Sequence, residues 1–345
     1  MLVERVEHKW IEAFAETFRR CGVTDGETAA VLSESQSRPV NVQLADLALQ
    51  RLGARVFHVV LTTPRQKVAV PVRSTGASDA IAGLEPAVAA LAGSSFVADC
   101  TVEGLLHAPE LGAILGGGAR VLMVSNEHPE ILERLVPDPA LKDRVQQGAA
   151  MLERATQMRV TSAAGTDLTI DVSQAPAAAS WGITNGAGTI AHWPGGLCLC
   201  FPASGAVEGT LVLDVGDVNL TFKRYLETPV RMRIEGDYIV DIDGDGLDAA
   251  LTASYLQAWD DDDAYAVSHV GWGMNPAARW DALTMYDRTQ LNGTELRAFA
   301  GNFLYSTGAN ETAGRHTLGH FDLPMRNCTI ALDGTVVVDR GNLAF

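Results

Sequence analysis

The chain has 345 residues, of which 47% are hydrophobic and 20% are charged, and its formal net charge is −16 at pH 7. This composition is typical of a folded globular protein, so it excludes disorder as the main state, and the length favours two domains. The negative charge repels the phosphate backbone of nucleic acids, so we expect no nucleic-acid partner.

The amino-terminal segment predicts an amphipathic helix rather than a targeting signal. Apolar residues recur at helical spacing over residues 2–20, and charged residues interrupt them. No segment approaches the roughly 20 apolar residues of a membrane helix. Five cysteines without a framework spacing indicate a reducing compartment, and Cys198 and Cys200 are predicted to lie in the core. We therefore expect a cytoplasmic protein without a membrane partner.

Strands and helices alternate in the first part of the chain. After the first helix, strands are predicted over 27–35, 54–63, 94–100 and 118–126, and helices over 41–52, 77–93, 128–136 and 139–157. Such alternation predicts a parallel, doubly wound sheet, which binds ligands at the carboxyl ends of its strands. We therefore predict an α/β domain at 1–157 that contributes residues to a substrate pocket.

Near residue 158 the pattern changes to short strands. Strands are predicted within 159–172, 208–218 and 231–246, helices near 247–259 and 276–288, and a final hairpin around an Asp-Gly turn. We predict an α+β domain at 158–345, joined to the first without a flexible linker.

A histidine and an aspartate form an H-x-D pair near the end of the chain, at His320 and Asp322. In a strand both side chains point to one face, with their Cα atoms about 6–7 Å apart, so an imidazole and a carboxylate can share a metal ion. His269, in a segment bounded by glycines, is the best candidate for a third ligand. Two histidines and a carboxylate suit Fe(II), although zinc is chemically possible. A structural hydrogen bond between His320 and Asp322 explains the pair equally well.

Several long segments carry a resemblance to a known family. AVSHVGWGMNP (266–276), GNFLYSTGANETAGR (301–315) and HFDLPMRNC (320–328), with LLHAPE (105–110), HWPGG (192–196) and EGTLVLDVGD (208–217), resemble 2,5-dihydroxypyridine 5,6-dioxygenase of the bacterial nicotinate pathway. The resemblance covers nearly the whole chain and is densest from about 190 to 328. The wider superfamily also contains chains named as M29-type aminopeptidases.

The resemblance implies a set of Fe(II) ligands and a nearby histidine. In this chain the ligands are His269, Ser306, His320 and Asp322. The histidine is His107, which accepts a proton from a ring hydroxyl, and an unperturbed pKa near neutrality suits that role. The predicted sheet independently places His107 just after a strand, where ligands bind.

Substrate contacts are expected from His192 and from the position of Ser180. The resemblance implies an acidic residue near Ser180, but no Asp or Glu occurs from 176 to 192 in this chain. This departure concerns the exact substrate more than the metal or the reaction class.

The expected activity is extradiol-type ring cleavage of a dihydroxypyridine, with O2 as co-substrate and N-formylmaleamate as product. The resemblance also implies a homo-oligomer, such as a hexamer. Two alternatives remain from the residues alone. One is a metal-dependent hydrolase of aminopeptidase type, which needs a carboxylate to activate water. The other is a binding protein without catalytic activity.

Overall fold

The computed structural model describes residues 5–70, 78–184 and 186–345. The described residues form a mixed α/β protein with one parallel sheet, two antiparallel sheets and a separate pair of short strands. In these three ranges, no helix has the length and apolar character needed to cross a membrane.

The elements are numbered in chain order. The helices are α1 (His8–Arg20), α2 (Pro39–Arg51), α3 (Glu85–Ala92), α4 (Leu111–Gly116), α5 (Pro129–Arg134), α6 (Pro139–Leu152), α7 (Leu247–Ala258), α8 (Ala282–Met285) and α9 (Thr294–Ala298). The first ten strands are β1 (Thr28–Glu34), β2 (Arg55–Leu61), β3 (Phe96–Asp99), β4 (Arg120–Val124), β5 (Gln157–Thr161), β6 (Asp167–Asp171), β7 (Ala177–Ser180), β8 (Ile190–Trp193), β9 (Leu197–Cys200) and β10 (Val207–Leu213). The others are β11 (Val218–Asn219), β12 (Arg224–Tyr225), β13 (Val230–Glu235), β14 (Tyr238–Asp243), β15 (Val267–Gly273), β16 (Phe303–Thr307), β17 (Phe321–Met325), β18 (Thr329–Leu332), β19 (Thr335–Asp339) and β20 (Asn342–Leu343).

The parallel sheet has the strand order β2-β1-β3-β4-β8. Its inner strands β1 and β3 are buried on both faces, and neighbouring side chains of β1 enter different core clusters. Val31 packs with Phe14 of α1 and Leu44 of α2. Leu32 packs in a second cluster with Leu91 of α3. Helices therefore contribute to the core on both faces, as parallel sheets require, and the predicted parallel sheet is confirmed.

Two helices before residue 100 differ from their predicted bounds. The helix predicted over 2–20 begins at His8, and residues 2–4 lie outside the described part of the chain. The helix predicted over 77–93 is confined to Glu85–Ala92, and residue 77 also lies outside the described part. Gly83 has φ = +69°, which a right-handed helix does not accommodate, so the chain turns before the helix begins.

The helix predicted over 276–288 is wrong for most of its length, since only Ala282–Met285 is helical. Side chains in this segment bind locally instead. The Asn275 Oδ1 atom accepts from the Ala277 backbone N–H at 3.0 Å, and Arg279 pairs with Asp281 at 2.7 Å. Such local bonds compete with helical hydrogen bonding.

The antiparallel sheets contain the strands predicted for the second part of the chain. The larger sheet has the order β14-β13-β10-β6-β5-β18-β19-β20, and the smaller one has the order β17-β16-β15-β9-β7. Strand β5 begins at Gln157, so the helix predicted over 139–157 ends earlier, at Leu152. The final hairpin turns at Asp333 and Gly334, both with positive φ, as predicted for an Asp-Gly turn. Cys198 and Cys200 of β9 are buried in the core, as expected.

Strand β8 links the two halves of the molecule. It follows β7 of an antiparallel sheet in the chain, yet it pairs in parallel with β4, with His192 opposite Met123. The pairing brings His192 to the carboxyl end of the parallel sheet. The predicted division of the chain at residue 158 stays a prediction.

Candidate metal centre and substrate pocket

A cavity of about 520 Å³ lies between the parallel sheet and the smaller antiparallel sheet. It is large enough for a small aromatic ring, since ligand pockets measure roughly 300–1,000 Å³. Both sheets contribute to its lining, and six of the seven residues predicted for the site line it: His107, Ser180, His192, His269, His320 and Asp322. The seventh, Ser306, is fully buried and lies beside Asp322 on the neighbouring strand.

The donor cluster, which consists of His269, Ser306, His320 and Asp322, lies on three adjacent strands. Ser306 of β16 is the cross-strand neighbour of Asp322 of β17, and His320 directly precedes β17. The pairing of β15 with β16 is irregular between Val267 and Val270, which is where His269 lies. Such a bulge changes the direction of a side chain relative to the regular pleat.

Three side chains of the donor cluster converge on one carboxylate oxygen of the fourth, Asp322. The Oδ1 atom of Asp322 lies 3.3 Å from Nε2 of His320 and 3.7 Å from Nε2 of His269. The Ser306 hydroxyl donates a short hydrogen bond to the same oxygen. Donors this close together can bind a single ion, so the structure brings together all four predicted ligands.

Arg297 of α9 is a neighbour of the donor cluster that the sequence did not indicate. Its Nε atom donates to Oδ2 of Asp322 at 2.5 Å, so the two carboxylate oxygens have different partners. Burial alone would raise the pKa of Asp322, but the Arg297 guanidinium and the two nearby imidazoles hold it well below its usual range. Asp322 is therefore an anion with one oxygen directed to the histidines.

His107 lies beside the donor cluster but on a different element, the loop between β3 and α4. Its ring centroid is 4.5 Å from that of His320 and 6.2 Å from that of His269. Nitrogen atoms of the three histidines lie within 4.8 Å of one another, so the geometry also permits a metal site made of His107, His269 and His320. His269 and His320 belong to both possible ligand sets.

Burial favours the neutral form of three histidines that line the cavity. It lowers the pKa of His269 to about 3 and that of His192 to about 4, and it lowers the pKa of His107 well below its ordinary value, with help from the nearby His320 and His269. The pKa of His107 in the fold therefore lies below the unperturbed value near neutrality. The neutral imidazole is nevertheless the form that binds a metal or accepts a proton.

Two buried carboxylates shape the loop that carries His107. Asp99, at the end of β3, accepts from the backbone N–H of Thr101 at 3.0 Å, from the Thr101 hydroxyl at 2.6 Å and from the Leu105 N–H at 2.8 Å. Glu34, at the end of β1, accepts from the Val102 N–H at 2.7 Å. The loop is thereby fixed at three backbone positions within the six residues before His107.

His192 and Ser180 lie where substrate contacts were expected. The His192 Nδ1 atom lies 2.7 Å from the Pro194 carbonyl oxygen, which can only accept, so Nδ1 carries the proton and Nε2 is an acceptor. The buried Ser180 hydroxyl has no hydrogen-bond partner among the described residues. The acidic residues that line this cavity are Glu311 and Asp322, neither of which is near Ser180 in the chain.

Sequence reasoning missed several polar residues of the cavity, among them Ser125, Asn292 and Arg297. Ser125 directly follows β4, so the rule that placed His107 at a strand end also applied to it. Asn292 precedes the short helix α9, Arg297 lies within it, and neither belongs to a motif. Only the fold brings them to the cavity.

The fold and the donor cluster together define a mixed α/β protein with a candidate metal site, and comparisons with known proteins specify its family. The family model described as NicX, 2,5-dihydroxypyridine 5,6-dioxygenase, matches residues 9–345. The chain belongs to this family. It is 37% identical over 336 residues to 2,5-dihydroxypyridine 5,6-dioxygenase of Pseudomonas putida, with 96% of this chain and 95% of that protein covered.

Solved structures give the same result at the level of the fold. The structure of 2,5-dihydroxypyridine dioxygenase from Pseudomonas putida KT2440 matches with a TM-score of 0.92 and 36% identity, covering 99% of this chain and 98% of that one. AmpT from Thermus thermophilus matches with a TM-score of 0.64 and 14% identity over 98% and 99% of the two chains. At that identity the second likeness shows the fold alone.

Proposed function

We propose that this protein is an Fe(II)-dependent dioxygenase that opens the ring of 2,5-dihydroxypyridine between carbons 5 and 6, with N-formylmaleamate as product. The observation that carries the proposal is the convergence of two imidazoles, a carboxylate and a hydroxyl on one point of a ring-sized cavity, in a chain that belongs to the 2,5-dihydroxypyridine 5,6-dioxygenase family.

The donor cluster fits the proposed metal. His269 is neutral, Asp322 is ionised, and the donor atoms of His269, His320 and Asp322 lie close enough to bind one ion. Two histidines and one carboxylate with open positions is a common ligand set for non-haem Fe(II). We assign Asp322 rather than His107 as the third main ligand, because its Oδ1 atom is 3.3 Å from Nε2 of His320. Ser306, which donates to that oxygen, is proposed as the fourth ligand.

Fe(II) held by His269, Ser306, His320 and Asp322 would bind O2 and an oxygen of the substrate and activate them for reaction. The residues of the chain perform the remaining tasks. His107, neutral and beside His320, accepts the proton of the ring hydroxyl, which makes the ring richer in electrons. His192 and Ser180 bind polar atoms of the substrate and hold the ring in place. Both atoms of O2 enter the product, so no external reductant is required.

The hydrolase alternative requires a carboxylate that is free to activate a water molecule at the metal. Asp322 is poorly suited to that task, because Arg297 and Ser306 already bind its two oxygens. The structure offers no observation that favours this activity over ring cleavage.

The test is oxygen uptake by protein loaded with Fe(II) without air. We expect one O2 to be consumed for each 2,5-dihydroxypyridine, and both labelled oxygen atoms to appear in the product when ¹⁸O2 is supplied. Protein loaded with Zn(II) serves as the control and should consume none. Peptide hydrolysis by the zinc form, with no oxygen uptake by the iron form, would contradict the proposal.

We also propose three broader features of the protein. They are the division into domains at 1–157 and 158–345, a homo-oligomer in the form of a hexamer, and a cytoplasmic location. Family resemblance supports the oligomer, and light scattering of the purified protein would test it. Limited proteolysis that cuts first near residue 158 would support the division.

A further inference from the structure

Ser125 is a polar residue of the cavity with an unused hydrogen-bonding group. Its exposed fraction is 0%, it lines the cavity, and its hydroxyl has no hydrogen-bond partner among the described residues. A buried polar group without a partner is unfavourable and calls for an explanation. A ligand in the cavity would supply the missing partner.

The backbone places Ser125 beside His192. The Ser125 N–H donates to the Trp193 carbonyl oxygen at 3.0 Å, which extends the parallel pairing of β4 and β8 by one bond. Met123 is directly opposite His192 in that pairing. Because side chains alternate along extended chain, Ser125 lies on the same face as Met123 and next to His192. All three line the cavity.

A dihydroxypyridine carries two kinds of polar group. The hydroxyl on carbon 5 belongs to the reacting end, which the donor cluster and His107 would bind. The oxygen on carbon 2 lies across the ring from it, next to the ring nitrogen, and needs uncharged donors and acceptors. A serine hydroxyl can donate and accept at the same time, and His192 Nε2 accepts.

We propose that the Ser125 hydroxyl binds the oxygen on carbon 2 of the substrate, beside the ring nitrogen. This inference rests on the proposed function, and it adds a residue that determines specificity within that function. Ser125 and His192 then hold the end of the ring opposite the metal. The Ser125 contact discriminates in favour of rings that carry an oxygen at carbon 2.

The test compares Ser125→Ala with the wild-type protein on two rings. In oxygen-uptake assays, we expect the KM for 2,5-dihydroxypyridine to rise about three- to tenfold, as for the loss of one neutral hydrogen bond, with kcat within about twofold. The inhibition constant of 3-hydroxypyridine, which lacks the oxygen on carbon 2, should not change. Equal weakening of both rings would overturn the proposal, and so would an unchanged KM.

Thermal unfolding distinguishes this role from a structural one. Ser125→Ala removes a hydroxyl without a partner, so the Tm of the ligand-free protein should stay the same or rise. The matched control is Ser94→Ala, which is also buried but loses a 3.0 Å hydrogen bond to the Ala90 carbonyl oxygen. The control should lower the Tm and leave the KM unchanged. A lower Tm for Ser125→Ala would show that its hydroxyl stabilises the fold and would count against the proposal.

The experiment also separates failure of this inference from failure of the proposed function. If the wild-type protein consumes O2 with 2,5-dihydroxypyridine and Ser125→Ala behaves identically, only the inference fails. If the wild-type protein does not consume O2, the proposed function fails, and anaerobic calorimetry with the same ring still tests the contact. Weaker binding by Ser125→Ala would then support it, and equal or absent binding would overturn it. Ser125→Cys, with a weakly bonding group of similar shape, should give an intermediate result.

Discussion

The two sides of the cavity differ in how their polar groups are used. The donor cluster comes from the smaller antiparallel sheet, and its charged group is engaged from several directions, since Asp322 contacts Arg297, Ser306 and two histidines. The parallel-sheet wall, which consists of His107, Ser125 and His192, carries no permanent charge and has at least one hydroxyl without a partner.

This difference indicates that the two sides of the cavity have different functions. A buried anion must have compensating charges, and a metal ion can join such a cluster by binding its remaining lone pairs. A neutral ring needs no such charge, and it is recognised by a few groups that are free to form hydrogen bonds. On the proposed assignment, the smaller antiparallel sheet holds the metal and one substrate contact, Ser180 of β7, and the parallel-sheet wall provides the other substrate contacts and the proton acceptor.

The largest effect is expected when the charge of the donor cluster is removed. Asp322→Asn replaces the anion with a neutral amide and leaves Arg297 without its partner, so bound iron should fall to background and oxygen uptake should be lost. Iron content per chain, measured by plasma emission, checks this. Asp339→Asn, at an exposed position on β19, is the control and should bind iron normally. Full iron content in Asp322→Asn would favour the alternative ligand set of three histidines.

The second largest effect is expected on the other side of the cavity. His107→Gln should keep the iron but lower kcat about 10²- to 10⁴-fold, because the proton acceptor for the ring hydroxyl is lost. Iron content and single-turnover oxygen uptake should be measured on the same sample. Loss of iron together with activity would mean that His107 is a ligand, and the division between the two sides would then be wrong.

A smaller effect concerns pH and the stability of the metal-free protein. The pKa of His192 is about 4 in the folded state because the ring is buried, and about 6.5 in the unfolded chain. Between these values the unfolded state binds the additional proton, so the free energy of unfolding should fall as the pH is lowered. The contribution of this histidine is about 1.4 kcal/mol per pH unit.

Urea denaturation at several pH values measures this dependence. His192→Asn should reduce the slope between about pH 6.5 and pH 4, the window that the two pKa values of His192 define. His8→Gln changes a histidine whose side chain is 77% exposed, and it should leave the slope unchanged. Identical slopes for the wild-type protein and His192→Asn would show that this ring does not resist protonation in the folded state.

The smallest effect is expected from the support of the His107 loop. Asp99→Asn keeps the shape of the side chain, but its amide N–H faces a backbone N–H and one hydrogen bond to the loop is lost. Because this loop positions His107, kcat should fall about three- to tenfold, and the iron content should stay unchanged. Asp171→Asn is a matched control on the surface, because Asp171 accepts from Ser173 N–H at 2.9 Å and from its hydroxyl at 2.6 Å, the pattern that Asp99 makes with Thr101. An equal loss of activity in both variants would show that Asp99 does not support activity through the position of His107.

The donor cluster could be predicted because its residues lie in continuous segments of the chain. The H-x-D spacing of His320 and Asp322 is local, and Ser306 and His269 lie in long segments that resemble one family. Arg297 could not be predicted, because its contact with Asp322 joins residues 25 positions apart through two different elements. The lowered pKa of His107 could not be predicted from the sequence either, because it depends on burial by the whole fold.

The fold was predicted best where the pattern of side chains repeats. Alternating strands and helices indicated the parallel sheet correctly, but not its last strand, because β8 follows β7 in the chain and has no helix before it. The helix predicted over 276–288 failed for most of its length because side chains in and next to this segment bind nearby backbone. Local competition of this kind depends on geometry and not on composition.

The position of β8 also has a consequence for synthesis on the ribosome. Until residues 190–193 have been made and have left the exit tunnel, β4 is the open edge of the parallel sheet, and the Ser125 N–H lacks the Trp193 carbonyl that it binds. An open edge strand can pair with other chains. A nascent chain in which β4 has already joined the sheet therefore has an unpaired edge strand through more than sixty residues of elongation, counted from Val124 to Ile190, and the short strand β8 then covers that edge.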